Sequence, residues 1–461
     1  MNIETRTVAD WANFPVIRAE VATPADREEM RSYTRAHERL IARGNGRCYG
    51  DAALAPHMVC TLALDKVIDF DPATGMVECE AGVLLSDLLK MIVPAGCFFH
   101  VTPGIKFITV GGAIASDVHG KNHPSKGCFS NWLISFELMT ADGQIQTCSR
   151  TENPLLFWQT CGGMGWTGII LSAKFQLMKI ASVGMRQLTV RAAGLEDIFR
   201  AFEENREWMY AAGWVDATAS GSSFGRGAVY FAEHEHTPSS EGRGDVEHTA
   251  RNSTVHSTAY STSPLPSGAG RGEGLTYPQK KTRNVPFFAP SWILNPLSIN
   301  LHNRIIFNKL TPGERFVDLD KYFYPLDSLQ NWNRLYGRRG FVQYQFCLPE
   351  KNAFDGMRRI LETIRKSPET PFLTVLKRHG ERPAEAVHSF PIRGYSLALD
   401  FPRTRTIFDL VNKLDDLVWS LDGKIYLTKD ACSASRMGRV DPAAFGEEKF
   451  MSLLRERLRS T

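Results

Sequence analysis

Apolar and polar positions alternate along this chain with two periods. Residues 58–62 (MVCTL) and 75–83 (GMVECEAGV) read as strands, the second with inward and outward positions in turn. Residues 84–93 (LLSDLLKMIV) place apolar side chains at helical spacing. Strand, strand, helix is an α+β order rather than a repeated βαβ crossover. Further on, TVRAAG (189–194), GAVYFAE (227–233), RIIFNKL (304–310) and GFVQYQFCL (340–348) read as strands. LEDIFRAFEENREWMY (195–210) and FDGMRRILETIRKS (354–367) read as amphipathic helices. A sheet covered by helices on one side follows for the second half.

Two stretches break the pattern. Residues 233–274 hold only Val246, Val255, Tyr260 and Leu265 as large apolar side chains, a composition that cannot bury a core and predicts a disordered surface loop. Its histidines lack ligand spacing, so no metal site is expected. Residues 284–307 (NVPFFAPSWILNPLSINLHNRIIF) are unusually apolar, as core would be, or as would a lip that meets a lipid tail or membrane surface.

Composition narrows the class. The chain has 461 residues, 54 basic against 50 acidic, which predicts two or three folding units and argues against a nucleic-acid binder. The apolar run at 92–115 is interrupted by Pro94, His100, Pro103 and Lys106, so no spanning helix is expected. The first residues lack a basic start followed by an apolar run. Nine cysteines without a CxxC pair suit a reducing cytoplasm.

The 37 glycines concentrate in RGNGRCYGD (43–51), TPG with TVGGAIASDVHGKN (102–104 and 109–122) and CGGMGWTGII (161–170). Glycine lets a ligand approach the backbone, and successive N–H groups then converge on an anion. Taken singly, each cluster is also an ordinary tight turn. No GxxxxGK[ST] or GxGxxG is present, so neither a P-loop nor a Rossmann site is expected.

These clusters, with AGVLLSDLLK, PAGCFFHVTPG and LMTADGQI, resemble the FAD-binding domain of the vanillyl-alcohol-oxidase (PCMH) type. GWVDA, FYPLD, NWNRLYG, SFPIRGYSLALDFP and KIYLTKD carry the likeness further, to the decaprenylphosphoryl-β-D-ribose 2'-oxidase group. The resemblance implies a two-part FAD-binding domain with an inserted α+β substrate domain: residues 1–180, then 181–402, then 403–461 returning to the FAD domain. The first loop, Gly44, Asn45, Gly46, Arg47, Cys48, Tyr49 and Gly50, would hold the FAD pyrophosphate. Pro103, Gly104, Thr109, Gly111, Gly112 and Ala113 would flank the ribityl chain and flavin ring. So would Ser116, His119, Gly120 and Asn122, with Ile170 and Tyr426 also touching the flavin. Some relatives carry a flavin-linked histidine where Cys48 stands, and non-covalent FAD is expected here.

For catalysis, the resemblance assigns the base to Lys429 and gives His119 a role in holding substrate or stabilising reduced flavin. Read from the residues alone, Lys429 is a surface lysine paired with Asp430. Lys121, Gln343, Gln345, Lys377 and Ser396 would meet the substrate, with Trp214, Phe323 and Tyr49 as walls. Ala398 stands where many relatives have a cysteine, and the segment before VDP (440–442) is short. The activity implied is oxidation of the C2' hydroxyl of a polyprenylphosphoryl ribose, with a short-chain reductase as partner and peripheral contact with the inner face of the membrane. An alditol or aldonolactone oxidase and a catalytically silent flavin-binding protein are the alternatives.

Overall fold

The computed structural model describes residues 1–235, 275–278, 282–431 and 448–459. The expected loop at 233–274 lies outside them from residue 236 onward, as does the short segment before and through VDP.

Three large sheets organise the described residues, beside a two-stranded pairing of Arg283–Asn284 with Leu329–Gln330. The first orders its strands Asn2–Ala9, Val16–Thr23, His57–Cys60 and Ile41–Arg43. The second runs Val67–Asp71, Met76–Glu80, Ile169–Lys179, Leu133–Met139 and Ile145–Ser149. Cys97–Phe99 pairs with the far end of the long strand Ile169–Lys179. The third has eight strands: Gly313–Asp318, Gly184–Ala192, Gly227–His234, Tyr210–Val215, Leu373–His379, Gly394–Pro402, Phe341–Pro349 and Lys424–Ile425.

The third sheet forms a roof, and alternation along its strands explains how. Tyr344, Phe346, Leu376, Leu397, Leu399 and Phe401 are buried in the large core, on the face where the helices Leu195–Glu204, Glu350–Lys366 and Ile407–Ser420 pack. The intervening residues Gln343, Gln345, Lys377, Ser396, Ala398 and Asp400 point the other way, into a cavity. Period-two alternation thus separates an apolar face from a polar one within the same strands.

The first two sheets form the body under that roof, and the chain passes to the third after Lys179. Helix Ile407–Ser420 packs on strand Phe341–Pro349 and helix Glu350–Lys366, so the return expected from residue 403 begins later, in the 420s. The final segment then joins the first sheet, where Leu40 bridges Phe450 and Met451 N–H donates to the Leu40 carbonyl.

One predicted strand is a helix. RIIFNKL lies in Pro296–Lys309, whose Asn295 caps the N–H groups of Leu297 and Ser298, with Pro296 in the first turn. Ile299, Asn303 and Phe307 form its buried face at four-residue spacing. The β-branched pair Ile305-Ile306 mimics a strand locally, and the cap decides the outcome. The helix predicted over 195–210 ends at Glu204. Asn205 turns its side chain back onto the Ala201 carbonyl (2.9 Å), and Tyr210 opens the next strand.

Candidate functional site

A cavity of about 420 Å³ lies between the glycine loops and the roof. Its floor starts where strand Ile41–Arg43 ends. Arg43 turns inward to the buried Asp10 and donates to the Ala9 carbonyl at 2.9 Å, anchoring the first glycine loop from beneath. Gly46 has φ +59°, a conformation that disfavours a side chain. A Cβ on Gly44 would lie 2.5 Å from Thr109 Oγ1, so glycine lets the first and second loops touch. Thr109 in turn caps the helix Val110–Ala115 by accepting from Gly112 N–H.

The backbone N–H groups of Asn45, Gly46, Arg47 and Cys48 meet no acceptor among the described residues, and all four residues line the cavity. Four consecutive free donors beside the Arg47 guanidinium form an anion nest. Arg47 itself lies 4.0 Å from the Trp11 ring centroid. Two buried polar atoms of cavity-lining residues, His119 Nδ1 and Gln343 Oε1, also lack partners among the described residues. A cavity edged by the unpaired N–H donors of the first glycine loop and lined by orphaned polar atoms fits FAD.

The catalytic end is built from the roof and the chain's last third. Tyr426 OH donates to the Ser116 carbonyl (3.0 Å) and opens the single turn Leu427–Lys429. Lys429 Nζ sits 3.2 Å from the Tyr49 ring centroid. The expected pairing with Asp430 does not occur: Asp430 binds Arg457 (3.1 Å), which also binds Asp51 (3.0 Å). Burial pushes the Lys429 ammonium well below its ordinary value; Lys377 acts in the same sense, while Asp400 opposes it. Burial likewise pushes the Asp400 carboxyl upward against its hydrogen bond from Gln343 and the Lys429 charge. A lysine held this way is a competent proton acceptor near neutrality.

Two more lysines reach the same space. Burial lowers Lys377 to about 8. Burial and then Lys377 lower Lys121 to about 7, and Lys121 lies 4.1 Å from the Tyr322 ring centroid. Among the described cavity residues, Lys121, Lys377, Lys429 and Arg47 face a single carboxylate, Asp400. His119 is held far below its ordinary value by burial, then by Lys377 and the neighbouring histidines. It is therefore a neutral imidazole, 3.2 Å from Gln345 Nε2.

Most expected site residues converge on this cavity. Trp214, Phe323, Ile170, Pro103 and Gly104 line it, as do Ser116, Ser396 and Tyr426. Gly50, Ala113, Gly120 and Asn122 do not. A Cβ on Gly50 would strike the Asp430 carbonyl at 1.7 Å, and one on Gly120 would lie 2.7 Å from Asn122 Oδ1. Asn122 donates to the His100 carbonyl (2.8 Å), and Ala113 is buried in its helix. These four lie off the cavity lining and pack within and between the loops. Ser396 Oγ is engaged by His379 (2.7 Å).

Asp400, His379 and Arg457 were not anticipated. Asp400 shares a face with Ser396 and Ala398 at two-residue spacing in GYSLALDFP, which is the signal that locates it. Arg457 carries no comparable local pattern.

Residues 19–149 match the FAD binding domain family. Over 438 residues the chain is 31% identical to the decaprenylphosphoryl-beta-D-ribose oxidase of Mycolicibacterium smegmatis, covering 93% of this chain and 89% of that protein. It is 29% identical to an uncharacterized protein of Streptomyces coelicolor over 76% of this chain and 89% of that one. A D-arabinono-1,4-lactone oxidase of Yarrowia lipolytica is 26% identical over 41% of this chain and 38% of its own length. With the nest and Lys429 assembled on one cavity, and with likeness running along nearly the whole sequence, the chain belongs to the decaprenylphosphoryl-β-D-ribose oxidase family of FAD-dependent oxidoreductases.

Proposed function

We propose that this protein oxidises the C2' hydroxyl of a polyprenylphosphoryl ribose to the 2'-ketone. FAD, held by the first glycine loop and the cavity, would supply the hydride acceptor for the carbinol carbon. The chain supplies the rest. Lys429, neutral at Nζ, takes the hydroxyl proton; the Tyr49 ring beneath it and the short turn from Tyr426 fix its direction. Asp400, near enough to act on Lys429 electrostatically, stabilises the ammonium that forms. Gln343 and Gln345 offer amides to sugar hydroxyls, and neutral His119 adds a ring nitrogen without a competing positive charge.

The observation that carries this reading over a free-sugar oxidase is the charge of the cavity. Lys121 and Lys377 remain after the nest and Lys429 are assigned, and one carboxylate does not neutralise them. Burial weakens the charge of both, lowering them to about 7 and about 8; a phosphate on the substrate restores it as a counter-ion, and a neutral alditol or lactone offers none. The 2'-ketone is an intermediate that requires a reductase to complete epimerisation, so a short-chain reductase is the proposed partner. The proposed location is cytoplasmic, at the inner face of the membrane; the eight described cysteines, all free, support a reducing compartment.

Anaerobic mixing tests the reading. Lipid-linked phosphoribose should bleach the flavin absorbance, and the Lys429→Ala variant should keep its colour and lose about 100-fold or more in bleaching rate. Bleaching by free alditols or lactones alone would replace this reading with its rival. Bleaching by neither would favour a silent flavin protein.

A further inference from the structure

The helix Pro296–Lys309 is turned inside out. Its inner face contacts the protein partly through polar and cationic groups: Asn303 donates to Asp216 at 2.9 Å, and Arg191 and Arg226 lie 4.2 and 4.6 Å from the Phe307 ring centroid. Its outer face carries Leu297, Leu301 and Ile305, exposed by 84%, 59% and 45%. These recur every four residues and so form one stripe. The preceding loop adds Phe287 at 70% and Trp292 at 74% exposure. Such a contiguous run of large apolar side chains marks a contact surface.

Charge and position identify the occupant. From residue 275 to 313 the sequence contains no Asp or Glu, while Arg304 and Lys309, on the same helix as the stripe, are exposed. Aromatic and aliphatic residues with flanking cations and no acid suit the headgroup boundary of an anionic bilayer. No helix among the described residues is long and apolar enough to cross a membrane, so the contact lies in the interface plane. The patch also adjoins the cavity: the His302 ring is 5.1 Å from Phe372, and the next residues, Leu373 to Val375, form cavity wall. We propose that this helix and its preceding loop seat the enzyme on an anionic lipid surface beside the cavity.

Vesicle co-sedimentation of the FAD-loaded protein tests this without reference to catalysis, so its failure leaves the oxidase reading standing. The probes are phosphatidylcholine vesicles with and without about one-third phosphatidylglycerol. Wild type should partition onto the anionic vesicles, and Trp292→Ser/Leu297→Ser/Leu301→Ser should lower that partition about 100-fold while retaining flavin and melting temperature. Arg304→Gln/Lys309→Gln, which leaves the apolar stripe intact, should reduce the preference for anionic lipid. Absence of wild-type binding, or a triple variant that binds as wild type, overturns the proposal. So does a dimer in sedimentation velocity that the triple variant dissolves, since the occupant would then be a second copy.

A separate observation carries a second proposal, on the first sheet. His37 Nε2 and His57 Nδ1 lie 3.2 and 3.4 Å from Glu20 Oε1, and the three ligand atoms fall within 4.8 Å of one another. His37 Nδ1 donates to the Tyr33 carbonyl (3.0 Å), which leaves Nε2 as a lone pair aimed at the carboxylate. His57 Nδ1 is buried without a hydrogen bond. The two edges that meet at Glu20 Oε1, 3.2 and 3.4 Å, suit a tetrahedral zinc site, and a carbonyl behind a ligating histidine is its usual support. The geometry points to a divalent zinc site that pins helix Arg27–Ala36 to the first sheet, with water in the open position. Titration of zinc sulfate into the holoenzyme should show a site whose affinity falls at least about tenfold in His37→Gln and in His57→Gln. Cobalt substitution should give tetrahedral visible absorption. Equal zinc binding by wild type and His37→Gln/His57→Gln refutes the site.

Discussion

Replacing Arg457 with Leu should destabilise the protein more as pH rises. Arg457 holds Asp51 through two contacts, Nε–Oδ2 at 3.1 Å and Nη2–Oδ1 at 3.0 Å, and Asp430 through a third at 3.1 Å. The two carboxylate side chains are only 6% and 2% exposed. Breaking a buried ion pair costs about 3–5 kcal/mol. Arg457 is itself 23% exposed, and water entering its place brings the expected loss to about 3 kcal/mol. Burial already pushes Asp51 upward, and Arg457 is the main influence opposing it. Without the arginine, the folded-state pKa rises further above the unfolded value. A raised carboxyl binds more protons folded than unfolded, so stability falls as pH climbs from the unfolded value of about 4 through the folded one. Urea unfolding, followed by tryptophan fluorescence, should show a small deficit at about pH 5 and the full deficit at about pH 8. Asp430 follows Lys429, and Gly50 packs on the Asp430 carbonyl; flavin reduction should therefore slow in the same variant. A loss below about 1 kcal/mol at the higher pH, or a larger loss at the lower one, would refute the reasoning.

Gly44→Val should push Thr109 out of the space between the two loops, where a Cβ already falls at 2.5 Å, and lower FAD occupancy as read from the absorbance ratio of flavin to protein. Because burial depresses Lys429, kcat/KM should fall on the acid side of neutrality as its Nζ takes a proton, with a limb far below the ordinary lysine value of about 10.4. Lys429→Arg, which cannot deprotonate, should be inactive across that range. Burial pushes the Cys48 thiol up to about 12, leaving little thiolate; acid precipitation should release all the flavin, and a yellow pellet would contradict this.

The parts of the site that rest on local chain chemistry were legible before the fold was known. Glycine loops announce themselves because close approach and positive φ exclude other residues, as at Gly44 and Gly46. Helices such as Glu350–Lys366 repeat their apolar positions over several turns. RIIFNKL misled because three apolar residues in a row satisfy a strand and a helix equally, and only the upstream Asn295-Pro296 cap separates them. Lys429 was found through the likeness of KIYLTKD to its family; its surroundings argued for a surface ion pair, because the arginine that takes Asp430 lies 27 residues away along the chain. Asp400 was hidden by its company, a carboxylate in an apolar strand whose register with Gln343 is set by tertiary pairing.

The two-faced roof has a consequence for how this enzyme can change. Residues 343 and 345, 375 and 377, and 396, 398 and 400 each sit one position from a core residue, yet they share no packing with it. A lineage can rewrite the pocket at alternate positions, Ala398 among them, while the helices behind the sheet register nothing. Substrate preference can therefore drift among sugars with little cost to folding, whereas an insertion of one residue in any of these strands would exchange pocket for core and cost both at once.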